Sequence, residues 1–316
     1  MTGPRRRNGR IPWAALLVLL LAACVQGGAP PGPAIAPIGR PAPPSAITVA
    51  SFNFPESEVL ASIYGRALRR AGYPVQLLEG VGPRELVEPA LARGLVEMVP
   101  EYAGSALQFL TLGKEQPSSA PSTTHGALAR VLVHRGLLAL AAAPGQDANV
   151  VAVTDRTAAR YGLRTISDLA AVAPRMSFAG PPECPQREFC LRGMARTYGL
   201  RFKRFVPLDA GGPLTLQALR AGDVDVALLF STDPAIDAYH LVTLSDDKRL
   251  QPAENVTPVV AQNVIKRYGR KMVRVVDQVS ALLTTRTLRS LNADAAARGA
   301  SPELIASRWL SEQGLG

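Results

Sequence analysis

A stretch of thirteen residues in this chain has a counterpart 128 residues further on. The segment "ALARGLVEMVPEY" (90–102) aligns with "ALRAGDVDVALLF" (218–230), and both contain an Ala-Leu pair, a glycine and an apolar run in the same order. A glycine after a helical pattern is a common helix end, and a short apolar run is typical of a buried strand. Each copy ends in an aromatic residue, Tyr102 or Phe230. The repeat therefore predicts two lobes that are built on one plan.

Helices and strands alternate in the first of these lobes. The apolar patterns predict strands over 46–52, 74–81 and 96–100, separated by helices over 57–71 and 84–94. Such alternation is typical of a parallel α/β sheet. In the second lobe the patterns predict strands over 149–155, 176–180, 201–209, 225–233 and 240–247.

The end of the chain is predicted to be helical and to have no sheet of its own. Its predicted helices cover 268–283, 286–299 and 302–314. We assign this tail to the first lobe, which then combines 47–147 with 250–316, while 148–249 form the second lobe. Two lobes of this size suit the length of the chain. The chain would cross between them near 146–149 and 246–254, and two crossovers form a hinge. The predicted fold class is two α/β lobes joined by this hinge.

Residues 1–23 are predicted to be a secretory signal. An arginine-rich start precedes an apolar run from Ile11 to Leu21, and small residues follow up to Cys24. The run is too short to span a bilayer of ~30 Å, although an uncleaved anchor is the alternative. Residues 24–46 are rich in Pro, Gly and Ala without apolar periodicity, which predicts a flexible tether.

The charge of the chain does not indicate nucleic-acid binding. There are 35 Lys and Arg against 25 Asp and Glu, a net charge of +10, and loss of the signal with its four arginines and no acid would leave +6. The excess is spread along the chain, with no basic helix in the predicted elements. We therefore predict no nucleic-acid partner despite the high isoelectric point.

Two cysteines are predicted to form a disulfide. Cys184 and Cys190 lie six residues apart, and such a pair in an exported protein is usually oxidised. A zinc site would need further ligands, and His125, His134 and His240 do not have metal-binding spacing. We predict no metal and no cofactor.

The aromatic residues at the ends of the two repeats are candidates for a ligand cleft. Open α/β sheets bind ligands beyond the carboxyl ends of their strands, so Tyr102 and Phe230 are expected to face a shared cleft. The alternative is that both rings belong to the core. No motif of a hydrolase, phosphate-binding loop or zinc enzyme occurs in the chain. Glu97 and Asp225 fall inside strands, where they are expected to bond backbone. The sequence therefore predicts a binder and not an enzyme.

Seven segments, in order along the chain, carry a resemblance to a known family. They are "FNFPES" (52–57), "GPRELVEPAL" (82–91), "PEYAGSAL" (100–107), "GPPECPQRE" (180–188), "DAGGPLTLQAL" (209–219), "GDVDVALLFSTDP" (222–234) and "NVTPVV" (255–260). Through them the chain resembles the substrate-binding lipoproteins of bacterial ABC importers for glycine betaine, choline and related osmoprotectants. The resemblance implies a type II periplasmic-binding fold that closes like a clamshell. It also implies a small-molecule ligand, and an ABC permease with its ATPase as partner.

The resemblance also implies a ligand site. Binders of this family commonly hold a quaternary ammonium in a box of tyrosines, whose faces attract the cation. Tyr102 matches one box tyrosine, and Ser105 matches a nearby hydroxyl that helps to bind a carboxylate. Phe230 stands where a second tyrosine is expected, so it keeps the ring and loses the hydroxyl. Glu101, beside Tyr102, is expected to hydrogen-bond nearby backbone.

Other positions depart from the family pattern. Asn149 and Leu216 stand near the remaining two box positions and supply no ring, while Phe52 could replace one wall. Arg187 is expected to bind a ligand carboxylate or to lock the closed lobes. Two lost rings correspond to ~100-fold or more in affinity. The expected ligand is therefore glycine betaine or choline bound weakly, a quaternary amine held by other aromatics, or another small polar solute.

The residues around Cys24 indicate how the protein is anchored. The ending Leu21-Ala22-Ala23-Cys24 resembles a lipobox, in which Cys24 is lipidated. We expect a monomeric lipoprotein, anchored by lipid on the extracytoplasmic side of the cell membrane, that binds a solute for an ABC importer. A tethered sensor with the same fold is the alternative function, and an exported enzyme is a third that no motif supports.

Overall fold

Two five-stranded sheets, each with its own helices, form the body of the protein. The computed structural model describes residue 3, residues 46–298 and residues 300–315. Apart from residues 3 and 46, the predicted signal (1–23), the predicted tether (24–46) and Cys24 lie outside the described residues. Among the described residues, no helix is long and apolar enough to cross a bilayer.

The described residues contain ten strands and eleven α-helices. The strands are β1 (Ile47–Phe52), β2 (Val75–Gly82), β3 (Met98–Tyr102), β4 (Leu137–Ala139), β5 (Asn149–Thr154), β6 (Ser177–Gly180), β7 (Arg204–Pro207), β8 (Val226–Phe230), β9 (Leu241–Leu244) and β10 (Val256–Ala261). The helices are α1 (Pro55–Arg70), α2 (Arg84–Ala92), α3 (Ala103–Leu110), α4 (Pro121–Val133), α5 (Asp155–Tyr161), α6 (Leu191–Tyr198), α7 (Pro213–Ala221), α8 (Ala235–Ala238), α9 (Gln262–Leu282), α10 (Thr285–Arg298) and α11 (Pro302–Glu312). Short 3-10 helices cover Ile166–Ala171, Ala173–Arg175 and Cys184–Gln186.

The two sheets repeat one arrangement. The first has the strand order β2-β1-β3-β10-β4, and the second has β7-β6-β8-β5-β9. The ring-bearing strands β3 and β8 begin and end 128 residues apart, as the sequence repeat predicts. Gly94 and Gly222, which follow the preceding helices, have φ values of 71° and 81°, a backbone region that glycine adopts without steric penalty. The prediction of two α/β lobes is confirmed.

The sheets are mixed, so the prediction of a parallel first sheet is wrong in part. β1 runs parallel to β2 and β3, but β10 runs antiparallel to β3 and pairs Val256 with Tyr102. In the second sheet β5 runs antiparallel to β8 and pairs Asn149 with Phe230. Both reversed strands start where the chain arrives from the other sheet. A strand that starts at the edge where parallel strands end must run in the opposite direction.

The helices at the end of the chain pack on the first sheet's helix α1. Trp309 and Leu310 of α11 belong to the same hydrophobic core as Ile47 of β1. The hydroxyl groups of Tyr64 in α1 and Ser280 in α9 are hydrogen-bonded at 2.9 Å within this core. These helices have no sheet of their own, so they bury their apolar faces against the first lobe and stabilise it.

The helix predicted over 268–283 corresponds to the second part of α9, and α9 presents positive charge. α9 begins at Gln262, and its helical backbone is interrupted at Gly269, where φ is 73°. Gly269 therefore separates a first helical segment from the segment that the sequence predicts. The basic residues exposed along α9 are Lys266, Arg267, Arg270, Lys271 and Arg274. The expectation that no helix concentrates basic residues is therefore wrong, while the absence of a nucleic-acid partner stays a prediction.

Replacing Leu310 with alanine should destabilise the fold. Leu310 is 0 % exposed, and removing a buried leucine side chain lowers the free energy of unfolding by about 2–5 kcal/mol. Leu304 of the same helix is 60 % exposed, so Leu304→Ala is the matched control and should change it by about 0.5 kcal/mol or less. Urea unfolding measures both. Equal, small effects would show that α11 does not contribute to the core.

Candidate ligand-binding site

A cavity of about 430 Å³ opens between the two lobes, at the edges where β1, β3 and β8 end. Its size is that of pockets that hold small organic molecules. Both lobes supply its walls. Six of the seven predicted ligand-binding residues line it: Phe52, Tyr102, Ser105, Asn149, Arg187 and Phe230.

Leu216, the seventh predicted residue, does not line this cavity. It lies on α7 and packs against a small core in the second lobe that includes Ala152 and Leu229. The helix turns Leu216 towards the sheet, so the alignment position that suggested it leads to a core side chain. The structure thus brings six of the predicted residues together and leaves Leu216 apart.

Phe54 joins the aromatic rings of the two lobes, and sequence reasoning did not single it out. Its ring centroid lies 6.0 Å from that of Phe52 and 5.8 Å from that of Tyr102, both in the first lobe. It also lies 5.2 Å from the ring centroid of Phe230, in the second lobe. Four rings therefore form one cluster at the cavity.

The position of Phe54 follows from the start of α1. Phe54 is the extended residue before the helix, Pro55 occupies its first position, and Glu56 lies in its first turn. Proline and acidic residues favour a helix start at these positions. β1 ends at Phe52, so Phe54 lies two residues beyond the strand end; the rule that selected Tyr102, extended to the residues that follow a strand, could have found it in "FNFPES".

The hydroxyl of Tyr102 is engaged below the ring cluster. It donates to Glu56 Oε1 at 2.8 Å, and Glu56 Oε2 accepts from Thr232 Oγ1 at 2.6 Å and Asn292 Nδ2 at 2.7 Å. Burial raises the pKa of Tyr102 well above its ordinary value, and the Glu56 charge raises it further. Tyr102 thus stays neutral, and it is one of the aromatic rings that line the cavity.

Glu56 and Asp147 form a buried pair of carboxyl groups beside the crossover of the chain. Burial raises the pKa of both groups, and the nearby Glu56 charge raises that of Asp147 further. Asp147 Oδ1 accepts from the Thr232 backbone N–H at 3.1 Å and from Ser231 Oγ at 3.2 Å. Since Thr232 also bonds Glu56, it connects α1 of the first lobe with the end of β8.

Ser105 and Glu254 form a second polar group at the cavity wall. Glu254 Oε1 accepts from Ser105 Oγ at 2.5 Å, and Oε2 accepts from the backbone N–H groups of Gly104 and Ser105 at 3.1 Å each. These N–H groups belong to the first turn of α3, where no carbonyl within the helix can accept from them. Burial raises the pKa of Glu254 to about 7, although the hydrogen bonds from Ser105 lower it.

Glu101 forms a buried ion pair as well as the expected backbone bond. Its Oε2 accepts from the Tyr102 N–H at 2.9 Å and from Arg84 Nη2 at 2.8 Å, and its Oε1 accepts from Arg84 Nε at 3.0 Å. Burial lowers the pKa of Arg84, but Glu101 outweighs it and the net shift is upward. The Arg84 guanidinium lies 5.0 Å from the ring centroid of Phe52. This pair fixes the base of the ring cluster.

Arg187 connects the lobes across the mouth of the cavity. Its Nη2 and Nε donate to the two carboxylate oxygens of Glu85 on α2, at 2.7 and 3.1 Å. Arg187 lies in the loop that the Cys184–Cys190 disulfide closes, with 5.3 Å between the Cα atoms. Of the two roles expected for Arg187, its contacts correspond to the locking of the lobes.

Asn149 holds this loop from the side of the hinge. Its Nδ2 donates to the Phe189 carbonyl at 3.1 Å and to Gln251 Oε1 at 3.4 Å.

Among the described residues, no group of three or more His, Cys, Asp or Glu side chains could hold a metal ion.

Comparison with known proteins identifies the family. Residues 45–312 match the family described as the substrate-binding domain of the ABC-type glycine betaine transport system. The chain belongs to this family. The glycine-betaine-binding protein of Pseudomonas aeruginosa is 28 % identical over 280 residues, which cover 85 % of this chain and 88 % of the relative. The glycine betaine-binding protein YehZ of Escherichia coli is 26 % identical over 314 residues, which cover 96 % of this chain and 97 % of YehZ.

A solved structure supports the same fold. The crystal structure of a glycine betaine/carnitine/choline ABC transporter protein aligns with a TM-score of 0.67 at 22 % identity, covering 85 % of this chain and 99 % of the other. The predicted family and the two-lobed periplasmic-binding fold are confirmed. As a member of this family of substrate-binding domains, the chain is a solute-binding protein and not an enzyme, as the sequence predicts.

The titration of Glu254 predicts how stability depends on pH. Its pKa is 4.5 in the unfolded chain and about 7 in the folded substrate-binding domain. The folded state therefore retains a proton that the unfolded state loses, and stability falls as pH rises through this window. The decrease due to this one group is at most about 3 kcal/mol.

The test is urea unfolding of the native chain and of Glu254→Gln at about pH 5 and about pH 7.5. The stability of Glu254→Gln relative to the native chain should rise with pH, because the glutamine side chain does not titrate. Glu312→Gln, at an exposed position, is the control and should follow the native chain. A stability of Glu254→Gln that falls relative to the native chain with rising pH would contradict the prediction.

Proposed function

We propose that this protein binds a small quaternary amine in the cavity between its lobes and delivers it to an ABC permease driven by its ATPase. The observation that carries the proposal is the cluster of four rings, Phe52, Phe54, Tyr102 and Phe230, drawn from both lobes at one cavity. A trimethylammonium group has no N–H to donate, so aromatic faces and nearby carboxyl groups are the groups that attract it. The names of the two relatives, both glycine-betaine-binding proteins, support this ligand class.

The proposed cycle uses the hinge. The lobes close on the ligand, and Arg187 and Glu85 secure the closed state through their two hydrogen bonds. Each ring attracts the cation by roughly 0.5–2 kcal/mol. The family pattern has rings near the positions of Asn149 and Leu216, which supply none. Phe54 supplies one ring in their place. The ligand site residues are thus Phe52, Phe54, Tyr102 and Phe230, with the polar groups around them.

Location and assembly are part of the proposal. Residues 1–23 direct export, Cys24 carries a lipid that anchors the protein to the extracytoplasmic face of the cell membrane, and residues 24–46 tether the body. The first lobe comprises 47–147 and 250–316, the second 148–249, and the protein acts as a monomer.

Removing single rings should reduce ligand affinity in a graded way. We expect Tyr102→Ala to abolish binding of the quaternary amine, and Phe54→Ala and Phe230→Ala to weaken it about 10-fold each. Titration calorimetry with choline, glycine betaine and carnitine measures these affinities. Tyr161→Ala is the control, because Tyr161 is an exposed ring that does not line the cavity.

Two results would contradict the proposal. One is undiminished affinity in Tyr102→Ala, which would remove the ring cluster as the site. The other is that none of the three amines binds the native chain. Uptake of the bound amine by cells should also depend on this protein, and uptake that is unchanged in its absence would favour a sensor.

A further inference from the structure

The anion-binding groups at the first lobe's side of the cavity already hold a carboxyl group of the chain. The start of a helix attracts anions through its free N–H groups. At the start of α3, the N–H groups of Gly104 and Ser105 and the Ser105 hydroxyl all donate to Glu254. Glu254 is 2 % exposed and lines the cavity. The chain therefore supplies its own carboxyl group at this position.

The arginines of the cavity wall are engaged in the same way. Arg84 binds both oxygens of Glu101 and Arg187 binds both oxygens of Glu85. Arg192 and Arg196, whose side chains are mostly exposed, form ion pairs with Glu188 and no hydrogen bond to it. The Tyr102 hydroxyl donates to Glu56. The remaining side-chain donors of the described inner wall include the neutral amides of Asn53, Gln108 and Gln186, while Arg192 and Arg196 lie at the exposed rim.

Two buried carboxyl groups of the same wall have no cationic partner. Neither Asp147 nor Glu254 forms an ion pair among the described residues, and the hydrogen bonds of both come from N–H and hydroxyl groups. Arg84 is the positive charge that acts on Glu254, but Glu101 neutralises it. A buried carboxylate is costly without a compensating cation. A ligand that brings one positive charge would provide it.

We infer that Glu254 determines ligand specificity: it occupies the place of a ligand carboxylate at the start of α3, so that the site prefers a quaternary cation without a carboxylate, of the choline class, to a zwitterionic betaine. This inference rests on the proposed binding of quaternary amines in the cavity. It assigns the charge of the ligand, which the aromatic cluster alone does not define.

Titration calorimetry of the full-length chain with choline and glycine betaine, in one buffer at about pH 8, above the pKa of about 7 of Glu254, tests the inference. The native chain should bind choline at least about 10-fold more tightly than glycine betaine. Glu254→Ala frees the donors at the start of α3, so it should strengthen glycine betaine binding and weaken choline binding, each about 10-fold, and remove the preference. Glu254→Gln is the matched variant that keeps an acceptor oxygen. It should weaken choline about 10-fold and leave glycine betaine within about threefold.

The outcomes separate the inference from the proposed function. Tighter binding of glycine betaine than of choline by the native chain overturns the inference, while Tyr102-dependent binding of either ligand preserves the proposed function. An unchanged choline preference in both Glu254 variants also overturns it. Binding of neither ligand overturns both. If Glu254→Ala does not fold, the comparison of the native chain with Glu254→Gln decides the matter.

Discussion

The pairing of each ring-bearing strand with a strand that crosses between the lobes is the constraint on which the structure depends. Tyr102, at the end of β3, pairs with Val256, and Phe230, at the end of β8, pairs with Asn149. Val256 and Asn149 are the first residues of the two strands that the chain enters from the other lobe. The rings that line the cavity and the proposed hinge are therefore neighbours in the same hydrogen-bonded ladders, and a rotation at this hinge would change the distance between the rings of the two lobes.

Buried carboxyl groups give this aromatic cleft its electrostatic character. Glu56, Asp147 and Glu254 are buried close to the rings, and burial raises the pKa of all three. Hydrogen bonds and retained protons reduce the cost of burying these groups. A cation held against the rings would favour their charged forms. In the proposed complex the aromatic faces and the carboxyl groups would thus act on the same ligand group, the rings through their quadrupole and the carboxylates through their charge.

The sequence was sufficient where local patterns determine structure, and insufficient where distant segments meet. The repeat predicted both ring positions, Tyr102 and Phe230, because a glycine stop and an apolar strand are local signals. It did not predict the direction of β10, which depends on where the chain enters the sheet. Glu254 lies about 150 residues from Ser105, and no pattern links them. Leu216 packs against the core and not in the cavity, because a family position does not determine which face of a helix meets the core.

A crystal structure with a bound quaternary amine, choline or glycine betaine, is the most direct test of the account. We expect the ammonium group between the lobes, within about 6 Å of the ring centroids of Tyr102 and Phe54 from the first lobe and of Phe230 from the second. An ammonium group that contacts the rings of one lobe alone, or lies outside the cavity, would contradict the claim that the two lobes enclose the ligand between their aromatic residues.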